Sequence, residues 1–175
     1  CLCYSSGPVR QSRPNVLVVI CDDLGVGDLG SSGNSVARTP ELDGFRSGGI
    51  DAGRHISGPL CTPARSALLT GMYAQRTRAI DTYCGRALLD PEIPTLAEHL
   101  SAAGYRTGCF GKWHLGDNCP FRPQDRGFES VCWHGSGGVG QPGDVLQNEG
   151  RESYFDPWLF DREGARPHEG FVTDV

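Results

Sequence analysis

The residues best suited to chemistry lie in one short segment, which begins at Cys61 and reads Cys-Thr-Pro-Ala-Arg. The pattern predicts a helix start, with Thr62 as N-cap, Pro63 at the first helical position and Gly71 just beyond the last turn. Cys61 would then face free backbone N–H groups and the positive end of the helix dipole, which both favour negative charge. Arg65, one turn later, can add a fixed positive charge at the same point. The residues alone also allow a buried structural cysteine beside an ordinary helix start.

Two adjacent carboxylates, Asp22 and Asp23, follow an apolar run from Asn15 to Cys21. The run is typical of a strand buried on both faces of a parallel sheet, and ligands of such sheets gather beyond the carboxyl ends of the strands. Because neighbours on a straight strand point to opposite faces, joint binding of one ion requires the chain to turn after Cys21. Oxygen ligands of this kind suit Ca²⁺ or Mg²⁺. The alternative is that one aspartate caps the turn while the other is solvated.

A third candidate group consists of Lys112 and His114, which are separated by one residue. In an extended chain both side chains point the same way and Trp113 points opposite. A cation and a titratable imidazole on one side suit an anionic substrate whose reaction needs proton transfer. The alternative is a surface lysine and a histidine packed on Trp113. His134, in a glycine-rich segment, is a candidate to line the substrate pocket, or else an incidental loop histidine.

The elements that must position these residues can be predicted from cap and glycine signals. A helix opens at a Thr-Pro pair and covers 39–48, and a second opens with a capping box and covers 95–103. A strand over 105–110 then delivers Lys112 and His114. Alternating helices and strands predict an α/β fold, while the glycine-rich stretch 116–170 predicts long loops with few regular elements.

Composition limits the class of protein and its partners. The 175 residues are enough for one domain with a core, and the net charge of −5 argues against nucleic acid as a partner. No apolar run approaches the ~20 residues of a membrane span, and no signal peptide is visible. Eight cysteines include no CxxC pair, which argues against a zinc site. Residues 1–13 are expected to form a flexible N-terminal arm.

Together these segments resemble the formylglycine-dependent sulfatases of the alkaline phosphatase superfamily. The string from Cys61 to Gly71 matches the family signature Cys-x-Pro-Ser/Ala-Arg with a trailing Thr-Gly. Similar segments follow the family order at 13–25, 39–43, 111–116 and 170–174. The resemblance implies an α/β sandwich of the alkaline-phosphatase and sulfatase type with a mainly parallel central sheet, incomplete in this chain. Residues 14–175 would be the N-terminal part of the catalytic domain.

The resemblance implies a modified residue and a metal ion. Cys61 would be oxidised to formylglycine (3-oxoalanine) by a formylglycine-generating, sulfatase-maturing enzyme. Ca²⁺ would be bound by Asp22, Asp23 and the modified Cys61. The remaining ligands of the family, an Asp and usually an Asn, would lie further along than this chain extends.

The resemblance also assigns roles to the basic residues. Lys112 would contact the sulfate and, together with Arg65, stabilise charge on the sulfuryl oxygens, while His114 would orient the formylglycine hydrate. His134 stays a second candidate for substrate binding. In the family, one hydroxyl of the hydrate attacks the sulfur and the alcohol leaves, after which loss of a proton from the other hydroxyl expels sulfate.

The function implied by the resemblance is hydrolysis of a small-molecule or carbohydrate sulfate ester. Two alternatives stay open: a formylglycine-dependent phosphodiesterase or phosphonate hydrolase of the same superfamily, and a catalytically incomplete fragment that only binds. Because the downstream His and Lys of the family lie outside these 175 residues, the isolated fragment is expected to be inactive. Family members commonly act outside the cytoplasm, which favours a periplasmic or secreted location.

Overall fold

The structure is a computed structural model that describes residues 13–83, 85–141, 143–144 and 154–175. The chain divides into two compact units, Cys1–Gly53 and Arg54–Val175. The expected N-terminal arm lies outside the described residues except for Arg13.

From residue 13 onward, the first unit contains one α-helix, α1 (Pro40–Gly48), and two short 3-10 helices, Val26–Asp28 and Gly30–Ser32. The helix begins at the Thr-Pro pair, as predicted. The hydroxyl of Thr39 accepts a hydrogen bond from Gly30 N at 2.9 Å and donates one to Asp43 Oδ1 at 3.1 Å. Thr39 therefore ties α1 to the preceding 3-10 helix instead of closing the first turn of the helix.

The predicted buried strand from Asn15 to Cys21 is wrong for this chain. These residues form neither helix nor strand, and their apolar side chains are exposed, with Leu17 at 87% and Val19 at 70%. A strand of this type needs hydrogen-bonded neighbours and elements covering both faces. Among the described residues, no strand pairs with the run.

The helices of the second unit are α2 (Cys61–Thr70), α3 (Ala74–Thr77) and α4 (Leu96–Ala102), with a 3-10 helix at Pro123–Asp125. The predicted end of α2 is confirmed, since Gly71 has φ 68° and donates its N–H to Ala67 O. Its start differs from the prediction, because Leu60 is the N-cap and Thr62 lies inside the helix.

The capping box of α4 is confirmed. Thr95 Oγ1 accepts from Glu98 N at 3.2 Å, and Glu98 Oε2 accepts from Thr95 N at 2.6 Å. Both partners lie within one turn, so the sequence spacing alone was sufficient to predict the contact.

A four-stranded sheet follows, with strand order β1 (Gly108–Lys112), β2 (Ser130–His134), β3 (Trp158–Phe160) and β4 (Ala165–Pro167). The β1–β2 pair is parallel and the two other pairs are antiparallel, so the described sheet is mixed and partial. The first strand begins three residues later than predicted and extends to Lys112. The stretch expected to consist mainly of loops contributes the other three strands.

The core of the second unit lies beside β1 and β2. Its buried apolar side chains come from β2 and from segments outside the sheet: Ala79, Leu89, Trp113, Leu115, Val131 and Trp133. The partly buried Cys109 of β1 packs against them. Because the two strands run parallel in register, Lys112 pairs with His134 at their carboxyl ends. Candidate residues from distant parts of the sequence therefore meet at one edge of the sheet. No helix in the described part of the chain is long and apolar enough to cross a bilayer.

Candidate active site

The centre of the candidate site is a contact between the first residue of α2 and the last residue of β1. Lys112 Nζ lies 3.1 Å from Cys61 Sγ, and both residues are half-buried. An ammonium at this distance stabilises negative charge on whatever group residue 61 carries. Two motifs about fifty residues apart in the sequence thus form one local arrangement.

Arg65 reinforces the same junction. Its side chain is buried, and Nη1 donates to the carbonyl oxygen of Lys112 at 2.6 Å. The residue thus fixes the backbone that carries the lysine. Burial raises the pKa of Cys109 and the charge of Arg65 opposes this, whereas burial lowers the pKa of His134 and the charge of Arg65 adds to this.

Thr62 and His114 form a second connection between α2 and the end of β1. The fully buried Thr62 hydroxyl donates to His114 O at 2.8 Å. His114 is buried and has φ 58°, so the extended chain ends before it and the predicted same-side geometry with Lys112 does not hold. Its Nε2 lies 3.2 Å from Thr82 O, and because a carbonyl only accepts, Nε2 carries the hydrogen.

His134 lies beside Lys112 on the neighbouring strand. Burial lowers the pKa of its imidazole, and the charge of Lys112 lowers that pKa further, against the opposing effects of Gly135 O and Asp144. The ring is therefore neutral near pH 7. Its Nδ1 lies 3.1 Å from Gly135 O, so Nδ1 is the donor and Nε2 is left as an acceptor.

Asp22 and Asp23 lie in a turn of the first unit. Asp23 has φ 57°, a left-handed conformation that Asp tolerates, so the chain turns at the pair itself. Both carboxylates are exposed. Two anionic oxygen donors of this kind fit Ca²⁺ and leave most of its six to eight positions to other ligands. Their joint ligation with Cys61, which belongs to the second unit, stays a prediction.

Two other described cysteines, Cys109 and Cys132, differ from Cys61 in their surroundings. Burial raises the pKa of Cys109 to about 11, and burial also raises the pKa of Cys132. These side chains stay as neutral thiols near pH 7, which makes them poor nucleophiles. Cys61 is the one placed against a lysine ammonium.

Two residues that hold His114 were not predicted in these roles, Thr62 as a tertiary donor and Thr82 as an acceptor. Asp117, whose Oδ2 accepts from Ser136 N at 2.8 Å, was not predicted either. Each is a single polar residue whose partner lies at least 19 positions away. No local spacing signal could have revealed these contacts.

Comparisons with known proteins identify the family of this chain. The family model described as Sulfatase matches residues 14–161. Arylsulfatase D of Homo sapiens is 39% identical over 132 residues, which cover 67% of this chain and 22% of that protein. Steryl-sulfatase of Mus musculus is 41% identical over 138 residues, which cover 74% of this chain and 21% of that protein. The chain therefore spans about a fifth of the length of these relatives.

A solved structure supports the fold. The structure of BT4656 in complex with its substrate D-glucosamine-2-N,6-O-disulfate has a TM-score of 0.74 at 24% identity, over 93% of this chain and 29% of that chain. This similarity confirms the predicted α/β fold class.

Proposed function

This chain belongs to the sulfatase family, and from that membership we propose that the complete protein hydrolyses sulfate esters. The observation that carries the proposal is the 3.1 Å contact between Lys112 Nζ and Cys61 Sγ. The contact supports the proposal because a lysine ammonium beside residue 61 could bind the sulfuryl group of a substrate. The names of the relatives, arylsulfatase and steryl-sulfatase, make aryl and steryl sulfates the first esters to test, followed by sulfated sugars.

Residue 61 is proposed to act as formylglycine, made from Cys61 by a sulfatase-maturing enzyme. The hydrate of that aldehyde would supply a nucleophilic hydroxyl and a second hydroxyl whose deprotonation would allow sulfate to leave. The position suits such a group because Lys112 offers a charged donor within hydrogen-bond distance. An unmodified cysteine has no hydroxyl on the reacting carbon, so this route for the release of sulfate would be closed.

The side chains around residue 61 then have separate roles. Lys112 holds the negative charge on the sulfuryl oxygens, and Arg65 fixes the strand end that carries Lys112. His114 is held by Thr62 at its carbonyl, and its imidazole is proposed to orient the hydrate at residue 61. The neutral His134 is proposed to accept a hydrogen bond from the substrate through Nε2.

Ca²⁺ is proposed as the metal ion, with Asp22 and Asp23 among the residues that would hold it. The exposed carboxylates fit a hard cation, and the ion when bound would stabilise negative charge on the substrate. Removal of divalent cations from the full-length protein should therefore abolish turnover, and Ca²⁺ should restore it.

The experiment that tests the function compares sulfate and phosphate esters on the full-length protein from its native host. Mass spectrometry of the peptide across Cys61 should show a loss of about 18 Da, which corresponds to conversion of the thiol to the aldehyde. Sulfate ester hydrolysis by the modified protein is the expected result. Dominant phosphate ester hydrolysis would favour the phosphodiesterase alternative, and a persistent thiol without activity would favour a binding module.

A further inference from the structure

The glycine-rich loop after β2 (residues 135–141 and 143–144) packs directly on His114. A Cβ added to Gly137 would lie 2.7 Å from Cε1 and 3.1 Å from Nε2 of that imidazole. No side chain fits at Gly137, so the loop backbone itself forms a wall against the ring. The conformation of the loop therefore determines the space that the imidazole has.

Two carboxylates fasten this loop. Asp117 Oδ2 accepts from Ser136 N at 2.8 Å, and the buried Asp144 accepts from Gly140 N through Oδ2 at 2.9 Å. Ser136 has φ 51°, which is an unfavourable conformation for a residue with a Cβ. The hydrogen bond that Asp117 accepts from Ser136 N stabilises the loop at this strained residue.

Asp117 is also close in sequence to one candidate histidine and hydrogen-bonded to a residue close to the other. It follows His114 by three residues, and its partner Ser136 follows His134 by two. The intervening carbonyl, Gly135 O, lies 3.1 Å from His134 Nδ1. The carboxylate of Asp117 therefore holds a loop backbone that contacts both imidazoles. This backbone packs on the ring of His114 and accepts a hydrogen bond from the ring of His134.

The position is electrostatically unfavourable for a carboxylate. Burial raises the pKa of Asp117, the charge of Asp144 raises it further, and the Ser136 N–H opposes both effects. A Cβ at Gly135 would lie 3.2 Å from Asp144 Oδ1 and 3.8 Å from Asp117 Oδ2, so both acids flank the start of the loop. The loop N–H groups compensate this charge only while the loop keeps its conformation.

We propose that Asp117 is a positioning residue, which orients the imidazoles of His114 and His134 by fixing the glycine-rich loop at Ser136. The proposal rests on the proposed function, in which these imidazoles serve sulfate ester hydrolysis. It concerns the hydrogen bond rather than the charge, because the bond is the contact through which Asp117 holds the loop.

The test uses three variants of the full-length, modified protein. Asp117→Ala removes the acceptor and should lower kcat about 10- to 100-fold with little change in KM, as expected for misplaced groups. Asp117→Asn keeps an oxygen that can accept from Ser136 N and should stay within about threefold of wild type. Asp125→Ala is the control, because it breaks an ion pair with Arg122 (Oδ2 to Nε, 2.8 Å) instead of the bond to the loop. It should lower thermal stability without the loss of kcat.

A readout independent of activity separates this inference from the proposed function. The ring resonance of His114 in histidine-labelled protein should shift in Asp117→Ala and stay unchanged in Asp125→Ala. Equal kcat values for the two alanine variants, an unmoved resonance, or an Asn variant as impaired as the Ala variant would each overturn the proposal. A wild-type protein that hydrolyses no sulfate ester would refute the proposed function, and the resonance would still decide whether Asp117 positions His114.

Discussion

Replacement of Lys112 by methionine tests the electrostatic core of the candidate site. The change removes a unit charge 3.1 Å from Cys61 Sγ and keeps an apolar stem. At that distance, Coulomb's law gives about 1.3 kcal/mol at the dielectric constant of water and about 5 kcal/mol at an effective value of 20. Because Lys112 is half-buried, the loss should fall between these limits. It corresponds to a decrease in kcat/KM of roughly 10- to 10⁴-fold.

The assay measures steady-state hydrolysis of an aryl sulfate by the full-length variant. The mass of the peptide across Cys61 must show the same aldehyde fraction as in wild type, so that a failure of maturation is not mistaken for lost catalysis. Lys112→Arg keeps the charge and should recover part of the rate. Arg106→Met removes an equally charged but exposed side chain and should leave the rate unchanged. A rate for Lys112→Met within threefold of wild type, at equal aldehyde content, would refute the reasoning.

Three further predictions concern the stability of the fold and the aggregation of the isolated chain. Thr62→Val removes the buried bond to His114 O and should lower the free energy of unfolding by about 1–2 kcal/mol in urea titrations; an unchanged midpoint would contradict this role. The folded-state pKa of His134 lies below its ordinary 6.5, so the unfolded state takes up this proton first as the pH falls. Stability should therefore decline as the pH drops below about 6.5, and by less in His134→Gln when urea midpoints at pH 7.5 and 5.5 are compared. The isolated 175-residue chain should aggregate through the exposed apolar run that contains Leu17. Leu17→Gln should therefore reduce the light scattering of the chain. A cooperative thermal unfolding transition without aggregation would argue against this prediction.

Local signals predicted α1, α2 and α4 because the residues that begin or end these helices lie next to them in the sequence, whereas the short α3 was not predicted. Thr95 and Glu98 stabilise each other across three residues, and Gly71 ends α2 through its own left-handed φ. Thr62 looked like a cap by the same criteria, but its hydroxyl bonds to a carbonyl 52 residues away. A tertiary partner decided the role of this residue, and the helix start moved accordingly.

The sheet was harder to predict because strands depend on their neighbours. β3 and β4 have three residues each, which is too short for an alternating pattern to be recognised. The run from Asn15 to Cys21 shows the opposite case, a strong apolar pattern that forms no strand in this chain. An apolar sequence pattern indicates only a preference for strand structure. The strand forms only where another strand completes its hydrogen bonds.

The sequence indicated the residue types of the candidate site, and the structure explains how two separate motifs come into contact. Thr62 and Arg65 are three residues apart on α2, so they share a face and lie about 4.5 Å apart along the helix axis. Their acceptors are the carbonyls of Lys112, the last residue of β1, and of His114, which follows with a left-handed φ of 58°. The short Thr62 side chain reaches His114 O, while the long Arg65 side chain reaches Lys112 O. Two side chains of one helix therefore hold the end of β1, where Lys112 Nζ lies 3.1 Å from Cys61 Sγ.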